Sequence, residues 1–505
     1  MHSRASFIAA IGVFLIVSAV YALANAGRID IIDGQYRFEV AENLLHSSSL
    51  QVLDPFLADA VPGRAGNYSH YGIAGSITPL PLMAAASLGA QAARDREQFF
   101  FSFTSALLGA ATSGVLVLFY DALGIPRRRA VAWAIVASFA TLAFPSSTSV
   151  FDQSQHALFV LGAAYFAYQA QQRDSLVLAS AAGCCVAVLV NFQETYALMA
   201  AGLGLVTFSS VRSGDWDRRG ARRYVLFLFV AAMGLAVWVA FNEFRFGSLL
   251  YSGKGNNHPP VVGNALFGLL GLLLSPGKSL ILYSPPVILA IAGMTKLLQL
   301  HRSLGRGVMA AIVLQTSLIA TLTFWAGDWC WGPRYFTPVL PLIALGLPFA
   351  PSLFSRGTVR FLIVVGVAVQ LLGISVDHHR FFYARSLGRY FWYVDPALYF
   401  RSSALFARPA ELFDMITSDV PTEARTFRPG PYPSLVTYAV LGGGSGDGPA
   451  PEWMKHYQVF WLPRPWPFWM HRLPEDMRPI SLPGGLLLVG AVGIAGGIIL
   501  RAGLR

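Results

Sequence analysis

The stretch RIDIIDGQYRFEV (Arg28–Val40) places Asp30, Asp33 and Glu39 directly behind an apolar run. A carboxylate there can take a proton from a hydroxyl, or it can cap the helix that follows. Comparable groups recur in four other segments: Asp152 and His156 in VFDQSQH (Val150–His156), Glu194 in NFQET (Asn191–Thr195), Lys278 in SPGKSLILYSPP (Ser275–Pro286), and Asp328, Arg334 and Tyr335 in WAGDWCWGPRYFTP (Trp325–Pro338). His70 lies in NYSHYGIAGS (Asn67–Ser76). A positioned carboxylate acting as general base contributes typically about 10²–10⁴-fold. Arginine meets a phosphate with a planar fork and lysine with a point charge. Acids that accept protons and cations that hold phosphate thus occur on one chain.

Each group also has a plainer role. Asp30 or Asp33 suits the N-cap of a helix predicted over Gln35–His46. Glu39 and Glu42, three apart on that helix, read as charges on its solvated face. Trp325, Trp329 and Trp331 read as residues of an interfacial belt. His70 and His156 lack a short His/Cys/Glu spacing, so no metal site is expected. SPGK lacks the glycine spacing of a nucleotide loop. Gly277 and Lys278 just before a helix at a membrane surface could still grip a lipid phosphate.

The elements that must position these groups are membrane spans. Of 505 residues, 55% are hydrophobic and 12% charged, about half the ~25% charge of soluble domains. Many apolar runs approach the roughly 20 residues that cross a hydrocarbon core. The net charge of +11 sits in short loops between those runs, which reads as membrane orientation and not as nucleic-acid binding. Cys184, Cys185 and Cys330 are too few for a disulfide framework. Phe7–Asn25 reads as an uncleaved first span, because so many spans follow it.

Hydropathy marks runs near 7–25, 78–93, 99–120, 130–145, 156–171, 175–191, 195–211, 224–243, 279–297, 308–325, 336–350, 358–376 and 481–500. If all thirteen cross, Arg127-Arg128-Arg129 and the loop Arg212–Arg223 fall outside when the N-terminus is inside, against the positive-inside bias. The segment 78–93 is short and opens with Pro79 and Pro81, which suit a helix start. Taken as juxtamembrane, it leaves twelve spans, and Arg127–Arg129, RRGARR (Arg218–Arg223), HRSLGR (His301–Arg306) and Arg501–Arg505 all face the cytoplasm. The polar segments quoted above then share the outer face, where charge at membrane depth is costly and marks function. The domains expected are a transmembrane catalytic module over 1–376 with a first outer loop at 26–98, an outer segment at 377–480, and a last helix with cytoplasmic tail at 481–505. No internal repeat is evident, which disfavours an inverted-repeat transporter.

DIIDGQYRFEVAENLL, YSHYGIAGSITPLPL, FDQSQH, SPGKSLILYSPP and GDWCWGPRYFTPVLP, in that order, resemble the integral-membrane GT-C glycosyltransferases. Among these the chain is most similar to family-39-like bacterial members, related to protein O-mannosyltransferases and the lipid A aminoarabinose transferase. The resemblance covers roughly residues 1–350. It implies an all-α polytopic membrane protein with the GT-C fold, about 12 spans and a juxtamembrane helix. It implies a sugar donor carried on a polyprenyl phosphate, and a glycan, lipid or protein acceptor. The expected site is on the periplasmic or extracellular face of the inner (cytoplasmic) membrane. The candidate base maps to Asp33 or Asp30 and the second acid to Asp152. The family's common Asp-Glu pair is here Asp33-Gly34.

Lys278 and Arg334 are the expected donor-phosphate ligands. His156, Glu194, Tyr335, His70 and Asp328 are the expected acceptor or substrate contacts. The transfer implied is inverting, with no resident cofactor and no obligatory metal. The rival readings are an O-antigen-ligase-like or flippase-type handler of polyprenyl-linked glycans, which would lean on outer arginines and a histidine, and a membrane transporter.

Overall fold

The computed structural model describes residues 4–29, 31–53, 60–86, 94–208, 218–254, 262–327, 329–378, 381–382, 397–417, 466, 468–469 and 478–504. Helices dominate. In chain order they are α1 (Arg4–Ala24), α2 (Ile32–Ser47), α3 (Ala74–Ile77), α4 (Leu80–Ala86), α5 (Arg94–Ser102), α6 (Thr104–Ala122), α7 (Arg127–Phe139), α8 (Ala143–Ser147), α9 (Gln153–Arg173), α10 (Leu176–Phe192) and α11 (Ala197–Phe208). They continue as α12 (Arg218–Phe246), α13 (Ala265–Leu274), α14 (Leu280–Tyr283), α15 (Val287–Leu300), α16 (Arg302–Thr321), α17 (Leu340–Ala344), α18 (Arg356–Ser375), α19 (Leu398–Arg401), α20 (Ala404–Thr417) and α21 (Arg478–Leu504). A small antiparallel pair, β1 (Val61–Pro62) with β2 (Asn67–Tyr68), interrupts the first loop in the register Val61 to Tyr68.

Among the described residues, six helices are long and apolar enough to cross a membrane. On α12 the i, i+4, i+8 set Phe229, Met233 and Val237 is more than half exposed. That leaves an apolar face outward, as a lipid-facing helix requires. Some expected spans are broken. The run 130–145 divides into α7 and α8, 279–297 into α14 and α15, and 336–350 into α17 and a 3₁₀ turn over Leu347–Ser352. Proline explains one of these breaks, because Pro285-Pro286 remove backbone donors and Ser284 before them leaves the helical region, at φ −147° and ψ 67°. The 78–93 segment forms no long helix in its described part. The apolar stretch Ala74–Ala86 falls short of a full crossing, and 87–93 lies outside the described residues.

The first and last helices pack through small residues. A side chain at Gly12 would meet the Leu500 backbone at 2.6 Å, and one at Gly503 would meet the Ala9 nitrogen at 2.6 Å. Without a hydrophobic drive between helices in lipid, such close backbone approach supplies the dispersion contact that holds them.

The basic ends gather together. Arg127 donates to the Gly503 carbonyl at 2.8 Å and Arg129 to the Pro348 carbonyl at 3.2 Å. Arg219 and Arg223 both pair with Asp174. His301 meets Tyr168 at 3.1 Å. The acidic and aromatic segments meet at the opposite end. Asn25, at the end of α1, donates to the Ser102 carbonyl at 2.9 Å. Of the expected 377–480 segment, most lies outside the described residues. Its α20 sits beside α18, with Met415 packed on Val376.

Candidate active site

α2 begins one turn earlier than expected, at Ile32, with extended Ile31 as its N-cap and no side-chain cap. Asp33 therefore does not cap the helix. It lies in the first turn, where a carboxylate favours the positive end of the dipole. Gly34 is needed for packing: a Cβ there would meet Val150 Cγ2 at 2.6 Å and Ile29 Cγ2 at 2.9 Å. The bare backbone lets α2 press against the loop that carries Phe151 and Asp152.

Around Asp33 two groups converge from distant segments. The Tyr71 hydroxyl hydrogen-bonds the Asp33 carboxylate. Burial first, and the nearby Asp33 charge second, hold the Tyr71 phenol well above its ordinary value, so it remains a donor. From the 330s loop, Arg334 Nη1 comes to 3.5 Å of Asp33 Oδ2. The Arg334 guanidinium also lies 4.3 Å from the Phe151 ring centre and 5.1 Å from that of Tyr335.

One turn beyond Asp33, Arg37 shares its helix face. It pairs with Asp152 at 2.9 Å and lies 4.5 Å over the Tyr71 ring. Asp152 is buried and also faces His156 at 3.2 Å. Burial alone would raise the Asp152 carboxyl, but Arg37, His156 and Arg334 outweigh it and hold the group below the usual carboxylate range. His156 Nδ1 and the Tyr196 hydroxyl are 2.8 Å apart. Asp33, Tyr71, Arg37, Asp152, His156 and Tyr196 thus form one connected polar wall.

Arg334 also lines a small cavity, part of it open to solvent, with Arg28, Asp377, His378, Ser149 and Trp331. Lys278 is absent from that lining. It is fully buried, and its ammonium donates to the Cys330 and Gly332 carbonyls at 2.9 and 3.1 Å. In this arrangement it braces the turn that presents Arg334. Glu194 pairs with Lys254 at 3.3 Å, and both side chains are about a third exposed. The His70 ring packs, tilted by 40°, at 4.1 Å from that of Tyr71. Arg245, itself buried, donates to the Tyr71 carbonyl at 3.1 Å and to Asn242 at 2.7 Å, fixing the backbone of the first loop. Asp30 and Asp328 lie outside the described residues.

Two plainer readings are corrected. Glu39 is buried, not solvated: it meets Arg94 at 2.8 Å, and Arg94 also meets Glu42 at 2.5 Å, so the acids join α2 to α5. Trp325, Trp329 and Trp331 are at most 5% exposed and pack inward, so they form no belt. Tyr283 and Trp331, for example, meet edge to face at 5.0 Å. Residues that the sequence reading passed over include Arg37, Tyr71, Tyr196, Arg28 and Arg245. The four-residue step from Asp33 to Arg37 was a usable signal. Arg28 and its partner Asp377, 349 residues apart, offered none.

No protein-family model matches the sequence, and no curated protein matches it. Solved structures do match. ArnT from Cupriavidus metallidurans in the apo state superposes with TM-score 0.50 at 14% identity, over 98% of this chain and 75% of that one. The same protein bound to undecaprenyl phosphate gives 0.51 at 12% identity, over 98% and 76%. The archaeal oligosaccharyltransferase AglB from Archaeoglobus fulgidus, in complex with an inhibitory peptide and a dolichol-phosphate, gives 0.42 at 14%, over 72% and 54%. The chain shares its fold with the ArnT structures, and its long apolar helices are those of a multi-pass membrane protein.

Proposed function

We propose that the chain is an inner-membrane glycosyltransferase that moves a sugar from a polyprenyl-phosphate donor to a lipid, glycan or protein acceptor at the outer face. The observation that carries this reading is Arg334, which stands 3.5 Å from the Asp33 carboxylate and also lines the polar cavity. One side chain therefore joins a proton acceptor to a place for an anion. The undecaprenyl phosphate held by the fold relative supports a polyprenyl phosphate as the carrier.

In the proposed reaction the acceptor hydroxyl attacks the anomeric carbon. The bond from that carbon to the donor phosphate oxygen breaks, and its electron pair stays on the phosphate. Asp33 takes the hydroxyl proton. Arg334 faces the charge that grows on the leaving phosphate, where a fixed cation is most effective. A single displacement inverts the anomeric centre. Tyr71 orients Asp33, and Arg37 and Asp152 hold the wall behind it. Lys278 takes a supporting role in this scheme by fixing the 330–332 turn. His70, His156, Glu194 and Tyr335 border the acceptor side.

The test is mass spectrometry of envelope lipids and glycans from cells with and without the gene. A sugar-bearing species should vanish on deletion, return with wild type and stay absent with Asp33→Asn. Unchanged glycans on deletion would overturn the reading. Loss of a multi-sugar polymer, with purified protein unable to use any monosaccharide donor, would favour the ligase-type alternative.

A further inference from the structure

We infer that Arg28 is a second phosphate ligand of the cavity beside Arg334, held in reserve by Asp377, which the incoming lipid phosphate displaces. The inference rests on the proposed donor class and adds a residue pair to which the sequence reading gave no role.

The Arg28–Asp377 pair is almost wholly buried, its side chains 1% and 2% exposed, and both residues line the cavity. The cavity wall therefore carries two arginines against one aspartate, with Arg334 shared between this space and Asp33. Ser146, Thr148 and Ser149 bring hydroxyls to the same wall, and Trp331, Phe151 and Ile374 supply apolar surface. That mixture suits a phosphate ester with an apolar tail. A phosphate carries more charge than a carboxylate and fits the guanidinium fork with two parallel hydrogen bonds. It can therefore compete with Asp377 for Arg28.

Exchange also avoids a heavy cost. A lone buried arginine waiting for ligand would be strongly destabilising, whereas a paired one is not. The backbone that carries Asp377 is itself held from the other side. Arg408 Nη1 donates to the carbonyls of Val376 and Asp377, and its guanidinium lies 5.1 Å over Trp331. Arg408 in turn pairs with Glu411 on α20 at 3.3 Å. Arg408 thereby ties the backbone of Val376 and Asp377 to α20.

The experiment is binding, without turnover, to the full chain in nanodiscs. Intrinsic tryptophan fluorescence, compared with that of a Trp331→Phe background to isolate the signal from the cavity wall, is the readout, and the probes are undecaprenyl phosphate, undecaprenol and inorganic phosphate. Asp377→Asn removes the competitor and should tighten undecaprenyl phosphate several-fold. Arg28→Gln should weaken it by roughly 10- to 100-fold, the loss of one charge-assisted hydrogen bond. Because Arg28→Gln strands a buried carboxylate, the double variant R28Q/D377N serves if the single one does not fold, and it should bind as weakly.

Undecaprenol should not bind at this site. Inorganic phosphate should bind far more weakly than the lipid; equal binding would overturn the lipid half of the inference. Unchanged or weaker binding in Asp377→Asn, or full affinity in the double variant, would overturn the exchange. Those results leave the glycosyl-transfer reading standing, since that reading is tested by Asp33 and the envelope glycans.

Discussion

Arg334 and Asp33 come from segments 301 positions apart in the chain, yet their charged groups stand 3.5 Å apart at the mouth of α2. At that distance the contact is an ion pair and not a tight hydrogen bond. An acceptor hydroxyl can therefore approach the carboxylate without first breaking a close pair. If Asp33 is the base, Asp33→Asn keeps the size, removes the proton acceptor and cuts turnover by about 10²-fold or more. Detergent-solubilised yield and melting temperature should stay near wild type, because the carboxylate is partly exposed. Near-normal turnover in Asp33→Asn beside an inactive Asp30→Asn would transfer the role to Asp30.

Arg334 is expected to act on the phosphate. Arg334→Lys keeps a charge but loses the fork and the ring contacts with Phe151 and Tyr335. Turnover with a polyprenyl-phosphate sugar should fall in both Arg334→Lys and Arg334→Ala, and more in the latter. The loss in kcat/KM for Arg334→Ala should correspond to about 1.5–3 kcal/mol. Steady-state titration of donor at saturating acceptor measures it. Equal kcat/KM for wild type and Arg334→Ala would leave Arg334 as a purely structural partner of Asp33.

What the sequence showed and what it hid follow from range. The gathering of polar segments at one end was legible, because hydropathy and basic bias are local properties of each run. The partners across that end were not. Arg28 and Asp377 meet over 349 residues, and nothing near either announces the other. Facing was the second gap. Composition places a tryptophan near an interface but does not say whether it points to lipid or inward, so Trp325, Trp329 and Trp331 were misread. Glu39 was misread for the same reason: its spacing to Glu42 fixed a shared helix face, but only the packing of α5 showed that Arg94 covers that face. The broken spans had a visible cause in Pro285 and Pro286, which an average over a hydropathy window conceals.

The α2–α5 junction should make the fold pH-sensitive. Burial, with help from Glu39 and Glu97 and against Arg94 and His46, pushes the Glu42 carboxyl from 4.5 up to about 7. As pH rises, the unfolded chain releases this proton near the ordinary value, while the folded chain keeps it until about 7. The folded state therefore binds more protons between these values, and stability falls across that window and then levels off. The melting temperature in nanodiscs should drop between pH 5 and pH 8. Glu42→Gln, which stays neutral, should show a smaller drop. Parallel curves for the two proteins would show that Glu42 does not govern the junction.

The sidedness of the bundle is open to a direct chemical test. Arg128 and Arg219 are exposed at the end where the basic loops meet. Ser47, in the last turn of α2, is exposed at the other end. Ser69, in the same outer loop, is buried and would label poorly. Cysteines are introduced singly at 47, 128 and 219 in a background with Cys184 and Cys185 replaced by alanine; Cys330 is buried and can stay. A membrane-impermeant maleimide added to intact spheroplasts should label position 47 and spare 128 and 219 until the membrane is opened. The expectation rests on the excess of Arg and Lys in cytoplasmic loops, a bias that sets orientation for short loops such as 121–129. Labelling of 128 from outside, with 47 protected, would invert the bundle and put Asp33 and the cavity on the cytoplasmic side. That outcome would remove the outer-leaflet donor from the proposed reaction.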